Sequence, residues 1–439
     1  MTPYEPVSAH DRLHTLDVLR GAALLGILLM NIQLFGMPHQ AYANLNVWGG
    51  REGANLWTFV IQWIFFEGKM RAMFSMMFGV GIALFLERAT RREDSARVVD
   101  LFARRMLWLM AFGVIHAWLI WYGDILYAYA VCGLVLYPAR HLSPRALFVT
   151  AAVALTIVMA AYAGHGLSMR SSRQAAMDAR AAETRGEALT AEQKEAITTW
   201  DETLEEVAPP GADLQEEVDN YRRGYMGALT ERAQMVREWH FVPVYFPLLA
   251  DFWALMLIGI GLFKLGILQG DRPLRFYVRM AIAGYAVGVV VNGISTYFML
   301  ASNFDPVMFP LANAPHQIGR VSTALAHLAV LVIALKQQWV PWLTRRLATV
   351  GQMALSNYIS QSLICSLVFY RPGFALMGQL ERYQLYYVVA AIWAFNLLWS
   401  PWWLARFHFG PLEWCWRSLT YWRRQPMRRA TPEAAVAPA

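Results

Sequence analysis

His116 is the side chain in this sequence best suited to proton transfer near neutral pH. It stands six residues before the end of an apolar run, 104–122. A histidine there is either a structural hydrogen bonder or a general base, and a base needs a carboxylate to orient its ring. Asp124 is eight residues further on, roughly 12 Å along a regular helix. A carboxylate from another segment, Glu67 or Asp251, is therefore the expected partner. Asn31, Glu67, Lys69, Arg71, Asp251, Arg320, Asn357 and Gln361 also fall within or beside apolar runs, as do Asn292, His316 and His327. Polar groups in hydrocarbon are costly, so they turn inward, find partners and mark functional positions. Each has a structural reading too. Asp17 and Arg20 form an i,i+3 helix pair. Glu67, Lys69 and Arg71 pair with one another, and the asparagines bond helix to helix.

The elements that must position these groups are membrane helices. Hydrophobic residues make up 57% of the 439 residues and charged residues 16%, with a mean hydropathy of +0.32. That balance excludes an ordinary soluble domain. A span takes about 20 mostly apolar residues. Ten runs qualify: 18–37, 69–87, 104–122, 125–140, 146–165, 242–268, 276–300, 317–336, 347–370 and 384–405. The expected fold is all-α, a polytopic membrane helix bundle of about ten transmembrane helices. The apolar piece 55–66 reads as an interfacial helix or as a span of its own.

Basic residues alternate between connections. Arg88, Arg91, Arg92, Arg97, Arg104 and Arg105 follow the second run, and further basic groups follow the fourth, sixth, eighth and tenth. The rule that cytoplasmic connections are positive then places both termini in the cytoplasm. It also accounts for the net charge of +7 without a nucleic-acid partner. In that topology the polar residues gather between midplane and outer surface, where a polar cavity is expected, with a drier cytoplasmic half.

Residues 1–165 read as an N-terminal five-helix half and 239–405 as a C-terminal five-helix half. Between them, 166–238 is a polar extracytoplasmic loop with fifteen acidic against nine basic residues; 406–439 is a basic cytoplasmic tail. The loop is rich in Ala, Glu and Gln, and Pro209-Pro210-Gly211 interrupts it. A helical hairpin capping the bundle, or docking an acceptor, is expected. Arg12 and Arg20 before an apolar run, with Ala41-Tyr42-Ala43 beyond it, resemble a signal peptide. The interruptions at Asn31 and Gln33 favour an uncleaved helix. Cys132, Cys365 and Cys415 have neither metal-ligand spacing nor the even number of a disulfide framework, and no metal or bound cofactor is expected. Gly79-Val80-Gly81 and Gly259-Ile260-Gly261 read as close helix packing through small residues.

Leu16-Asp17-Val18-Leu19-Arg20-Gly21 with Asn31 resembles the first helix of the transmembrane acyltransferase superfamily, which includes the acyltransferase-3 proteins and the heparan glucosaminide N-acetyltransferase. The chain more closely resembles the DUF418 family of YeiB-like bacterial membrane proteins. That likeness is carried by the first helix, by Phe66-Glu67-Gly68-Lys69-Met70-Arg71 leading to Phe78-Gly79-Val80-Gly81, and by His116 followed by Gly123-Asp124-Ile125-Leu126 and Tyr129. It continues in Val350-Gly351-Gln352-Met353-Ala354-Leu355-Ser356-Asn357-Tyr358 with Gln361-Ser362, and in Phe409-Gly410-Pro411-Leu412-Glu413-Trp414 with Trp416-Arg417. It covers nearly the whole chain outside the acidic loop. Acyltransferase-3 proteins have a histidine ten residues after the motif glycine, where this chain has Asn31. The glucosaminide acetyltransferase is similar in having Asn there, with its working histidine further on. His39 is the nearest counterpart here, at a different spacing, and His116 stands ahead of it because it lies in the membrane and within the DUF418-like pattern.

The resemblance implies an enzyme of the bacterial cytoplasmic (inner) membrane, surrounded by the lipid bilayer. It would move an acyl group from a cytoplasmic acyl-CoA to the hydroxyl or amine of an extracytoplasmic glycan or small molecule. His116 would be the base, with Glu67 and Asp124 as catalytic carboxylates. Asn31, with Lys69 or Arg71, would stabilise the oxyanion. Arg20 would attract donor phosphates, and Asp251, Arg320, Asn357 and Gln361 would line the substrate pocket. A transporter or exporter of a small solute fits the same helices and buried charges.

Overall fold

A computed structural model describes residues 14–91, 93–240 and 245–429. Arg12, Arg92 and positions 430–439 of the tail lie outside the described residues. The described elements are helical, with no β-strand among them.

Helix α1 (His14–Gly36) is apolar and buried on nearly every face, as a helix at the centre of a bundle must be. Asn31 and Gln33 do not end it. A short 3-10 turn leads to α2 (Gly53–Phe65), and Gly68 in the left-handed region turns the chain into α3 (Lys69–Thr90). Then come α4 (Ser95–Leu119), α5 (Leu126–Leu136) and α6 (Pro144–Thr184). The polar segment folds as α7 (Ala191–Val207), α8 (Gly211–Arg223) and α9 (Tyr225–His240). Pro209 and Pro210 separate α7 from α8, and Gly211 opens α8, as expected of a breaker. The second half holds α10 (Tyr245–Lys264), α11 (Leu274–Ala301) and α12 (Met308–Lys336). It ends with α13 (Pro341–Gln352), α14 (Ala354–Phe369), α15 (Leu385–Leu404) and α16 (Pro411–Tyr421).

Among the described residues, seven stretches are long and apolar enough to cross a membrane: His14–Gly36, Gly53–Thr90, Pro144–Thr184, Phe246–Lys264, Leu274–Ala301, Met308–Lys336 and Leu385–Leu404. The reading of a polytopic helical membrane protein holds, but the expected ten spans include three that differ. The run 125–140 folds as the 11-residue α5 and a 3-10 turn, roughly 17 Å of α-helix and too short to span. The run 347–370 is interrupted at Met353, so α13 and α14 are separate helices. The run 104–122 belongs to α4, whose first two turns are charged. Outward-facing Val149, Val153 and Ile157 on α6, with Ile282, Val290 and Ile294 on α11, give both helices an apolar outer surface suited to lipid.

Two close approaches lock the bundle. A Cβ on Gly21 would lie 2.0 Å from the Leu347 carbonyl oxygen, and one on Gly351 would lie 2.0 Å from that of Asp17. The α1 and α13 backbones therefore touch where two of the motifs stand. Gly79 of α3 and Gly259 of α10 face each other's helices in the same way, at Met256 and Met76, which explains the repeated glycine pattern as small-residue packing. The main core lies between α1, α3, α4, α5, α10 and α12. The loop helices are not a separate unit. Val218, Tyr221, Ala228, Met235 and Val236 pack into a second core with Phe35, Trp121 and Tyr370.

Candidate active site

Helix α4 stops three residues after His116. The backbone amides of Ile120 and Trp121 both donate to the His116 carbonyl, at 2.9 and 2.8 Å, and the chain reverses through 121–125. That turn folds Asp124 back, so the expectation that it is out of reach is corrected. His116 Nδ1 lies 2.9 Å from Asp124 Oδ1, and Asp124 Oδ2 accepts from the Tyr127 amide at 2.7 Å. The 12 Å separation applies only along a regular helix, and α4 ends at Leu119, before Asp124. Neither Glu67 nor Asp251 is needed as the orienting group. His116 is wholly buried, packed against Tyr358 at 5.0 Å and Trp121 at 6.2 Å between ring centroids. Its Nε2 has no hydrogen-bond partner among the described residues.

Beside this pair lies a cavity of about 390 Å³. Its mouth is at the N-terminal end of α1, where Asp17, Arg20, Arg88, Arg105, Arg417 and Gln425 line it. It runs inward past Met77, Phe78 and Leu109 to Phe74, Leu126, Tyr129 and Tyr358. The Tyr129 and Ser75 hydroxyls share a 2.7 Å hydrogen bond, and the Tyr358 hydroxyl donates to the Gly123 carbonyl at 3.3 Å. Tyr358 thus lines the cavity and packs against the imidazole. The sequence reading put a polar cavity at the other end of the bundle; this one opens among the arginines. Arg20 holds Asp17 at 3.1 Å. The Arg105 guanidinium stacks on Trp416 at 3.8 Å, and the Trp416 indole donates to the Arg105 carbonyl at 2.8 Å. Glu413 accepts from the Leu355 and Ser356 amides at 2.7 and 3.1 Å, capping α14. Burial pushes its carboxyl above the ordinary value, with the hydrogen bonds from Ser356 and Leu355 pulling the other way.

Most polar residues of the expected outer cavity are paired into an ionic cluster. Glu67 Oε2 lies 3.0 Å from His316 Nε2 and its Oε1 accepts from the Tyr42 hydroxyl at 3.3 Å. Lys69 is fully buried, donates to the Trp63 carbonyl at 2.6 Å and stands 3.4 Å from His316 Nε2. Asp251 takes a two-pronged bond from Arg320, 2.7 Å on one arm, with Arg71 at 3.6 Å. Glu67, Lys69 and Arg71 therefore pair with other helices rather than with one another. Asn357 is committed to the Val350 carbonyl, Ser400 and the Trp399 indole, and Gln361 to Asn396. Asn31 is half-buried and lines neither the cavity nor the cluster. His39 faces Glu217 of the loop at 3.4 Å.

Sequence reasoning missed Arg105, Tyr129 and Glu413 as cavity residues. The Phe409 to Arg417 motif was the available signal, since Phe409, Glu413, Trp416 and Arg417 all line the cavity.

An interrupted helical bundle with apolar outer faces and a buried histidine–aspartate pair defines an integral membrane protein of the all-α polytopic class. The family described as "Protein of unknown function (DUF418)" matches residues 262–423. The chain is 30% identical over 418 residues to "Uncharacterized protein YeiB" of Escherichia coli (strain K12), covering 93% of this chain and 96% of that one. "Uncharacterized protein YxaH" of Bacillus subtilis (strain 168) is 28% identical over 448 residues, 98% of this chain and all of that one. The "Uncharacterized 39.9 kDa protein in amylase 3'region" of Bacillus acidopullulyticus is 28% identical over 424 residues, 96% and 98% of the two chains. This chain belongs to the DUF418 family, among the YeiB-like proteins.

Proposed function

We propose that the protein is a membrane acyltransferase that takes its acyl group from an acyl-CoA and gives it to a hydroxyl or amine on the other side of the bilayer. The observation that carries this reading is an oriented imidazole, open at Nε2, one tyrosine away from an arginine-mouthed cavity. The bundle sits in the bacterial inner membrane with the arginine-rich end and both termini in the cytoplasm. Donor phosphates meet Arg20, Arg105 and Arg417, since guanidinium groups suit phosphate. The acyl chain lies along Phe74, Met77, Phe78 and Leu126. Asp124 holds the His116 ring so that Nε2 accepts the acceptor's proton. The acceptor oxygen or nitrogen attacks the thioester carbonyl, with the Tyr129 hydroxyl, free to donate when Ser75 supplies the proton of their shared bond, facing the oxyanion. The C–S bond then breaks, and the proton on His116 passes to the departing thiolate.

The test is acyl-CoA consumption by the purified protein in lipid, with acetyl-CoA and longer chains, wild type beside His116→Ala. Slow hydrolysis makes the acceptor unnecessary. Consumption lost in the variant supports the reading; none by a well-folded wild type overturns it. A transporter is the second reading, favoured by the broken α13–α14 helix and the buried ionic cluster. It expects saturable solute flux and no donor turnover.

A further inference from the structure

A second set of unpartnered buried atoms lies beside His116, toward the C-terminal end of α1 and away from the arginine mouth. It comprises Trp121 Nε1, the Tyr221 and Tyr370 hydroxyls, and Nε and Nη2 of Arg232, none of which has a hydrogen-bond partner among the described residues. All four side chains are at most 2% exposed. They come from the turn after α4, from α8, from α9 and from the end of α14, so the loop helices supply half of them. Ring contacts tie the group together. Tyr221 stacks on Tyr370 and Phe35 on Trp121, each at 4.4 Å between centroids; Phe35 reaches Tyr370 at 6.1 Å, and Trp121 reaches His116 at 6.2 Å. Arg232 Nη1 donates to the Ile120 carbonyl at 3.3 Å, and the guanidinium forms no ion pair among the described residues. Nearby Glu217 faces His39 and Glu231 accepts from Asn220 at 2.6 Å.

Buried polar atoms in native proteins are nearly always bonded, so several unbonded ones in one place mark a functional position. Their chemistry specifies the missing partner. The indole and guanidinium nitrogens are donors only and call for acceptor oxygens; the phenols take either role. With Nδ1–H directed at Asp124, His116 Nε2 is an acceptor and calls for an O–H or N–H. A guanidinium with two free nitrogens matches the two oxygens of a carboxylate. The aromatic faces suit a ring with apolar C–H surfaces.

We propose that this cluster is the acceptor subsite and that the acceptor is an acidic sugar, with its carboxylate on Arg232, its ring against Trp121 and the Tyr221–Tyr370 pair, and one hydroxyl at His116 Nε2. This rests on the role of His116 as the transferase base. Helices α8 and α9 then form the specificity wall of the site. That hydroxyl's oxygen forms the ester bond as the thioester C–S bond breaks, and its proton goes through His116 to the thiolate.

The test is binding to the full chain in lipid nanodiscs without acyl-CoA, read as a saturable rise in the thermal unfolding midpoint. The probes are D-glucuronate, D-galacturonate and D-glucose. The uronates should bind roughly tenfold or more tighter than glucose, and Arg232→Gln should remove that advantage. Tyr370→Phe should weaken uronate binding severalfold, yet unfold no earlier than wild type without sugar, because it removes a buried hydroxyl that has no partner. If Arg232→Gln does not fold, Tyr370→Phe decides alone. No saturable uronate binding, equal binding of glucose, or affinities unchanged in the folded variants would overturn the subsite. Donor consumption dependent on His116 without uronate binding sinks the subsite alone. Uronate binding without donor consumption sinks the transferase reading alone.

Discussion

Two histidine–carboxylate pairs are buried in this bundle with nearly the same geometry, 2.9 Å for His116–Asp124 and 3.0 Å for His316–Glu67. Their surroundings separate them. His116 and Asp124 come from one helix end and the turn after it, with aromatic rings around the imidazole and a cavity one side chain away. His316 sits among Lys69, Tyr42 and Glu67, beside the Arg320–Asp251–Arg71 group, and ties α3, α10 and α12 together. A pair beside a cavity is placed to handle a substrate proton. A pair inside a mutually compensating ionic cluster is placed to hold helices. Distance alone would have ranked the two alike.

That contrast breaks most directly by exchanging the losses. His116→Ala should cut donor consumption by roughly 10²–10⁴-fold and leave the thermal midpoint near that of wild type. His316→Ala should do the reverse, lowering the midpoint with donor consumption per folded molecule retained. Parallel turnover and unfolding measurements on both variants check this; equal rate losses would erase the distinction. Next in size is Asp251→Ala, which leaves Arg320 buried without its counter-charge. Breaking such a pair costs about 3–5 kcal/mol, so low yield and early unfolding are expected. Asp251→Leu combined with Arg320→Met should recover much of that loss. A double variant no better than the single one would mean that the cluster does more than balance its own charge.

The sequence showed the membrane class, because a run of apolar residues is a local property. It did not show where helices stop inside such a run. The break at Gly123-Asp124 between the runs 104–122 and 125–140 is visible, but nothing in the apolar pattern shows that the chain folds back there, and that reversal alone brings Asp124 to His116. The α13–α14 break at Met353 is hidden for the same reason. Pairings distant in sequence were equally illegible. Glu413 caps α14 from 58 residues away, and the buried Arg382 reaches Gln33 and the Ala41 carbonyl. The sequence reading expected a polar cavity at the other end of the bundle, and that the Phe409–Arg417 motif of the tail folds back was not legible. Its Glu413, Trp416 and Arg417 fold back as a wall.

A smaller effect sharpens the donor side. Arg20 lines the cavity with its side chain 24% exposed and is paired with Asp17. Arg20→Ala should raise the KM for acyl-CoA roughly tenfold, the loss of one charge-assisted contact, with kcat unchanged because the contact is made alike in ground and transition states. Raising salt should weaken donor binding in wild type more than in the variant. A fall in kcat instead would move Arg20 from anchoring the donor to positioning it.

The smallest effect tests whether a polar residue in a membrane core must be part of a site. Asn357 sits in the motif that carries the family likeness, yet its amide nitrogen donates to Val350 and Ser400 and its oxygen accepts from Trp399. No polar atom is left for a ligand, and the partners fasten α14 to α15 and to the end of α13. Interhelical hydrogen bonds in membranes are worth about 0.6 kcal/mol on average, because a partly unfolded chain in lipid finds other partners. Asn357→Ala should therefore lower the unfolding midpoint slightly and leave both KM and kcat of donor consumption at wild-type values. A change in either constant without a change in stability would bring Asn357 into the site, and would mean that α14 moves during turnover to free its amide.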